Sequence, residues 1–135
     1  MSRALPNLPK EYAVPTGRRI LIIDDNEPLN RSLAEALTDH GHEVLAVVDG
    51  ETAFVLAHDF NPHIMLLDLA MPGGMDGYEI CQRFRALPKF DDTRIYAHSG
   101  TAAWTDQQRV ADSGFDFLLG KPMNWDLLIT LISIH

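Results

Sequence analysis

Cysteine is nearly missing from this sequence. Cys81 is the single one among 135 residues, so no disulfide can form within the chain. Such a chain suits a reducing compartment. No apolar run approaches the roughly 18 residues a membrane span needs. The opening stretch, MSRALPNLPKEYAVPTGRR, lacks the apolar centre of a secretory signal. These two absences predict a cytoplasmic protein without a membrane partner. Basic residues are also scarce: 11 Lys and Arg stand against 19 Asp and Glu, for a formal net charge of -8. That balance repels nucleic acid phosphates and argues against direct nucleic acid binding. No glycine-rich phosphate loop follows the first apolar run, which argues against a nucleotide-binding domain. The six histidines show no metal spacing.

What is present is a regular alternation. Residues 1–17 hold Pro6, Pro9, Pro15 and Gly17 with no helical or strand period, and read as a flexible arm outside the domain. From residue 18 to 135 the chain reads as one domain, with no internal repeat. Ile20–Ile23, Glu43–Val48, Ile64–Leu67, Thr93–His98 and Phe115–Leu119 are short apolar runs of strand character. Helical spacing separates and follows them. Leu29, Leu33, Ala36 and Leu37 share one face, with Pro28 in the first turn and Gly41 as a stop. Ala53, Leu56, Ala57 and Phe60 share another. Ile80, Phe84 and Leu87 mark a third helix, Ala103–Ser113 a fourth, and Leu127, Leu128, Leu131 and Ile132 a fifth. Five strands alternating with five helices predict an α/β fold, a (βα)5 doubly wound parallel sheet covered on both faces.

Open sheets of this kind place their ligands beyond the carboxyl ends of the strands. The residues there are Asp24 and Asp25, Asp68, Ser99 and Lys121. Three carboxylates brought together repel one another. A hard divalent cation relieves that repulsion, and magnesium in particular binds carboxylate oxygens and bridges to phosphate. An aspartate can act as a nucleophile and form an aspartyl-phosphate. Lys121 can pair with a phosphoryl oxygen, and Ser99 can donate a hydrogen bond to another. The group reads as a phosphoryl acceptor that works by positioning and charge neutralisation.

Four segments in this order, ILIIDDNE, LLDLAMPGGMDG, HSG and LLGKP, resemble the receiver domain of two-component response regulators over roughly residues 18–135. The resemblance implies the flavodoxin-like strand order 2-1-3-4-5. It makes Asp68 the phosphoacceptor, with Ser99 and Lys121 assisting. It makes Asp24, Asp25, Asp68 and the backbone carbonyl of Ala70 the ligands of Mg2+, with Mn2+ as the alternative ion, and it makes the Lys121–Pro122 bond cis. It implies a sensor histidine kinase or a histidine phosphotransfer protein as the donor, an unknown output partner, and a monomer or weak dimer. It describes a switch rather than an enzyme, one that at most catalyses its own phosphorylation and dephosphorylation. The partner face implied is that of the last two helices and the strand between them.

Three positions depart from that pattern. The loop after Asp68 carries one extra glycine, at Gly73-Gly74. Leu118 stands where the family often has an aromatic reporter. Ala70 and Thr101 occupy positions that tune the phosphoryl lifetime, and Ala70 has no polar group to orient a water. The first two support an alternative reading as an interaction module that does not use phosphate. An aspartate-nucleophile phosphatase is disfavoured, because its two aspartates stand two residues apart and here Asp24 and Asp25 are adjacent. Cys81 reads as a small core residue, and Trp104 and Trp125 as packing residues or the border of a partner surface. His40 and His42 read as surface residues, and His98 as turned away from the site. The chain stops at His135, directly after the last helix, which leaves both a stand-alone receiver and a piece of a larger regulator or hybrid kinase open.

Overall fold

The computed structural model describes residues 17–100 and 107–134. Most of the expected arm, along with Thr101, Trp104 and His135, lies outside these residues. The chain alternates strand and helix throughout. The elements are β1 (Arg19–Ile23), α1 (Glu27–Asp39), β2 (Glu43–Val47), α2 (Gly50–Phe60) and β3 (Ile64–Asp68). They continue as α3 (Gly77–Arg85), β4 (Arg94–Ser99), α4 (Gln107–Asp112), β5 (Phe117–Gly120) and α5 (Trp125–Ser133). One turn of 3-10 helix, Pro88–Phe90, precedes β4. The five strands form one parallel sheet in the order β2-β1-β3-β4-β5.

Local chemistry explains where the helices begin. Asn26, Asp49, Asp76 and Asn124 each cap a helix by accepting from a backbone N–H three residues on, at 2.7 to 3.1 Å. Such a cap contributes roughly 1 kcal/mol over alanine. Pro28 sits in the first turn of α1, where its missing N–H costs nothing. At the other end Gly41 takes φ 93°, and α2 stops at Asn61 with φ 51° just before Pro62.

Alternation along the strands then builds two cores. Leu21, Ile23, Met65, Leu67, Ile95 and Ala97 pack under α2, α3 and α4, against Ala53, Ala57, Ile80, Phe84 and Val110. Ile20, Ile22, Ile64, Leu66, Tyr96 and Leu119 face the other way, against Leu33 and Leu37 of α1 and Leu128, Leu131 and Ile132 of α5. Burying each such side chain contributes roughly 1.5–3 kcal/mol. The central strands β1, β3 and β4 are buried on both faces, as their unbroken apolar runs predict. Cys81 is a core residue, and burial pushes its thiol up to about 12.

Several local expectations need correcting. β4 includes Ser99, and β5 starts at Phe117, with Phe115 buried ahead of it. Leu56 is 39% exposed, because the edge position of β2 leaves α2 less sheet to cover. Leu87 lies past the end of α3 and is exposed. Trp125, the first residue of α5, is exposed, which goes against the packing alternative and leaves the surface one standing. His42 is buried rather than on the surface, because its Nδ1 accepts from the backbone N–H of Arg18 at the start of β1.

Candidate functional site

Parallel strands all point their carboxyl ends one way, so the residues there meet on one rim. Asp24 follows β1, Asp68 ends β3, Ser99 ends β4 and Lys121 follows β5. Asp24, Asp25 and Asp68 each present a carboxylate oxygen within 4.8 Å of the others. Asp24 and Asp68 are buried, and Asp25 is exposed. Lys121 Nζ lies 3.4 Å from Asp24 Oδ2 and 3.3 Å from Asp68 Oδ1. It is the one cation paired with either buried carboxylate among the described residues.

Each group is held by its neighbours. Asp24 Oδ1 accepts from the Asn26 N–H at 2.9 Å, and the Asn30 side chain donates to the Asp24 carbonyl at 2.8 Å. Asp68 Oδ1 accepts from the Ala70 N–H at 3.1 Å. The Lys121 N–H donates to the Ser99 carbonyl at 2.8 Å, and the Lys121–Pro122 bond is cis. Ser99 is buried and stands one residue past His98, the register partner of Asp68. Gly77 brings the start of α3 against the end of β3. A Cβ there would collide with the Asp68 carbonyl oxygen and come within 2.7 Å of Leu69 Cα. Gly73 and Gly74 both take positive φ, at 70° and 86°, so each glycine of the lengthened loop serves the turn.

Burial holds the Asp68 carboxyl above the ordinary carboxylate range. The Ala70 N–H opposes that shift, Asp24 adds to it and Lys121 opposes it. Negative charge here is therefore under-compensated by the protein alone. Three clustered carboxylates fit a hard divalent cation.

The rim also holds two residues that sequence reading missed. Asn30 is buried where Leu33 and Leu37 continue the apolar stripe of α1. A polar residue interrupting that stripe was the available signal. His98 is 2% exposed and sits on the same sheet face as Asp68, so the expectation that alternation turns it away fails. Residues two apart on a strand share a face, and His98 follows Tyr96 just as Asp68 follows Leu66. Burial first, and then Lys121, lower its pKa to about 4, so the ring is neutral at physiological pH. Leu118 packs, partly buried, against the core under α3 and α4, and lines a groove with Val110, Pro122 and Leu127.

A family model described as the response regulator receiver domain matches residues 20–133. The transcriptional regulatory protein TcrA of Mycobacterium tuberculosis is 35% identical over 113 residues, covering 84% of this chain and 44% of that protein. The chain thus spans less than half the length of that relative. Protein PilG of Pseudomonas aeruginosa is 28% identical over 119 residues, covering 88% of this chain and 87% of that protein. Among solved structures, the chemotaxis response regulator CheY4 of Vibrio cholerae superposes with a TM-score of 0.78 at 27% identity, covering 86% of this chain and 97% of that one.

Proposed function

Because this chain belongs to the response regulator receiver domain family, whose members are phosphoacceptor switches of two-component signalling, we propose that Asp68 is its phosphoacceptor. The observation that carries this is the state of Asp68. Its carboxylate is buried, pushed above its ordinary range by burial, and within 3.3 Å of the Lys121 ammonium. Carboxylate oxygens of Asp24 and Asp25 within 4.8 Å of it support the same reading.

In the reaction, an Asp68 carboxylate oxygen attacks the phosphorus of a phosphohistidine on a histidine kinase or phosphotransfer protein. The O–P bond forms, the N–P bond breaks, and the imidazole leaves with the bonding electrons. The Lys121 ammonium neutralises charge on a phosphoryl oxygen, and the Ser99 hydroxyl donates to another. The Ala70 N–H fixes the carboxylate rotamer through Oδ1, and Asn30 fixes the backbone of Asp24. Receiver domains bind magnesium at an acidic cluster. Here Asp24, Asp25, Asp68 and the Ala70 carbonyl would hold Mg2+ or Mn2+. Bound there, the ion supplies positive charge against both the carboxylates and the phosphoryl oxygens. The chain on this reading is a switch with no separate substrate of its own, and it works in the cytoplasm as a monomer or weak dimer. Among the described residues, no helix is long and apolar enough to cross a membrane.

The test is treatment with acetyl phosphate, with and without Mg2+, followed by intact mass. We expect one added phosphoryl group, dependent on the metal and absent in Asp68→Asn. No gain with acetyl phosphate or with histidine kinases would favour the interaction module that does not use phosphate.

A further inference from the structure

Two residues join the end of β1 to the cap of α1, and both are acids. β1 pairs with β2 as far as Ile23 and Val47, and the Asp24 N–H donates to the Val47 carbonyl at 3.1 Å. Asn26 then caps α1. Asp24 is buried, and its Oδ1 accepts from the Asn26 N–H. Asp25 is exposed, so packing does not fix its carboxylate. Its direction follows from the peptide plane that links it to Asp24, and the Asp24 carbonyl lies in that plane.

Asn30 holds that carbonyl. Its backbone N–H donates to the Asn26 carbonyl at 3.0 Å, within the first turn of α1. Its side-chain nitrogen reaches back past the cap and donates to the Asp24 carbonyl at 2.8 Å and to the Val47 carbonyl at 3.4 Å. One carboxamide thus ties α1 to the ends of β1 and β2. That tie has a cost. Asn30 is 5% exposed and lies on the face of Leu33 and Leu37. Its Oδ1 is buried with no hydrogen-bond partner among the described residues. A leucine would avoid that cost and give up the Asp24 carbonyl in exchange.

We propose that Asn30 is a positioning residue for the metal site, fixing the Asp24–Asp25 peptide so that the Asp25 carboxylate stays beside those of Asp24 and Asp68. This rests on the reading of the three aspartates as metal ligands. Their oxygens lie within 4.8 Å of one another, and like charges that close repel. An exposed Asp25 on a free peptide turns out to solvent. On a tethered peptide it stays, and the ion meets ligands already gathered.

Mn2+ titration followed by electron paramagnetic resonance, which counts the free ion, tests this without any phosphoryl donor. We expect Asn30→Leu to weaken Mn2+ binding about tenfold, the worth of one ordinary hydrogen bond. Leu33→Val, on the same face of α1, leaves the carboxamide in place and reads the effect of a loosened helix alone. We expect it to lower the urea midpoint measured with a chelator and to leave Mn2+ affinity unchanged. Unchanged affinity in Asn30→Leu overturns the proposal. So does an affinity that falls equally in Leu33→Val, which marks a merely structural role. Should Asn30→Leu fail to fold, Asn30→Ala removes the carboxamide without added bulk and is read in the same way. If the wild-type protein binds no Mn2+, the metal-ligand reading fails and takes the proposal with it. Wild-type binding that persists undiminished in the Asn30 variants sinks the proposal alone.

Discussion

The two rims of the sheet treat polar groups in opposite ways. At the amino ends of the strands, most polar groups satisfy one another, although Arg18 Nε is buried without a partner among the described residues. Arg85 donates to the carbonyls of Gly114, Phe90 and Thr93 and pairs with Asp116 at 2.8 Å. Thr93 donates to the Pro62 carbonyl. His42 and His63 accept the backbone N–H groups of Arg18 and Arg19. At the carboxyl ends the accounts stay open. Asp68 is held above its ordinary range, Lys121 is shared between two carboxylates at 3.3 and 3.4 Å, and His98 Nε2 is buried without a partner among the described residues. A rim that closes its hydrogen bonds stabilises the fold, and a rim that leaves them open is poised for a ligand.

Substitutions can break that contrast. The largest effect is expected where the open rim has a structural point of its own. Gly77→Ala places a methyl group against the backbone of β3. It should cost about 3 kcal/mol or more, read from urea denaturation, and should impair phosphoryl uptake as well. A near-neutral result would mean that the α3–β3 approach relaxes easily.

Next comes the closed rim. Arg85→Ala takes the Arg85 donor from the Gly114 and Thr93 carbonyls, while the Phe90 carbonyl keeps the Thr93 N–H and Asp116 keeps the Ile95 N–H, and it should cost about 2–3 kcal/mol. The rate of phosphorylation by acetyl phosphate should stay unchanged in the folded protein. A large loss of rate would show that the two rims are coupled.

Asp68→Asn should act the other way. A carboxyl whose folded pKa is raised favours folding below its ordinary range, and that contribution is lost as pH rises through the raised value. Removing the charge should therefore raise the urea midpoint at pH 7 in the presence of a chelator, while abolishing phosphoryl uptake. A lower midpoint would mean that the ionised carboxylate contributes net stability.

The smallest effect concerns His42. Burial first, then His40 and Arg18, hold its pKa below the ordinary 6.5. The unfolded chain then takes up the proton before the folded one does. The contribution is present above about pH 6.5 and is lost as pH falls below it. Urea midpoints between pH 7.5 and 5.5 should fall less in His42→Gln than in the wild type. Parallel falls would assign the acid sensitivity to other groups.

Much of this was legible in one dimension. Apolar runs such as Ile20–Ile23 and Ile64–Leu67 carry their own burial, so strands and parallel order could be read from them. Asp24, Asp25, Asp68 and Lys121 could be placed because each follows such a run. Leu56 and His42 could not, since their burial depends on which strand lies at the sheet edge and which backbone N–H comes near. His98 was misjudged because its face follows from that of Tyr96, and its neighbours belong to β3 and β5.

The sequence by itself determined the alternation of elements, the two apolar faces and the chemistry gathered at the strand ends. These follow from periodicity and residue type, which are local properties of the chain. Only the tertiary structure decided that Lys121 spans two carboxylates, that Asp68 is pressed above its ordinary range, and that a buried histidine stands between them. Those are matters of distance and burial between residues as many as 97 positions apart. Such spacings are set when the strands pair, not when the chain is written.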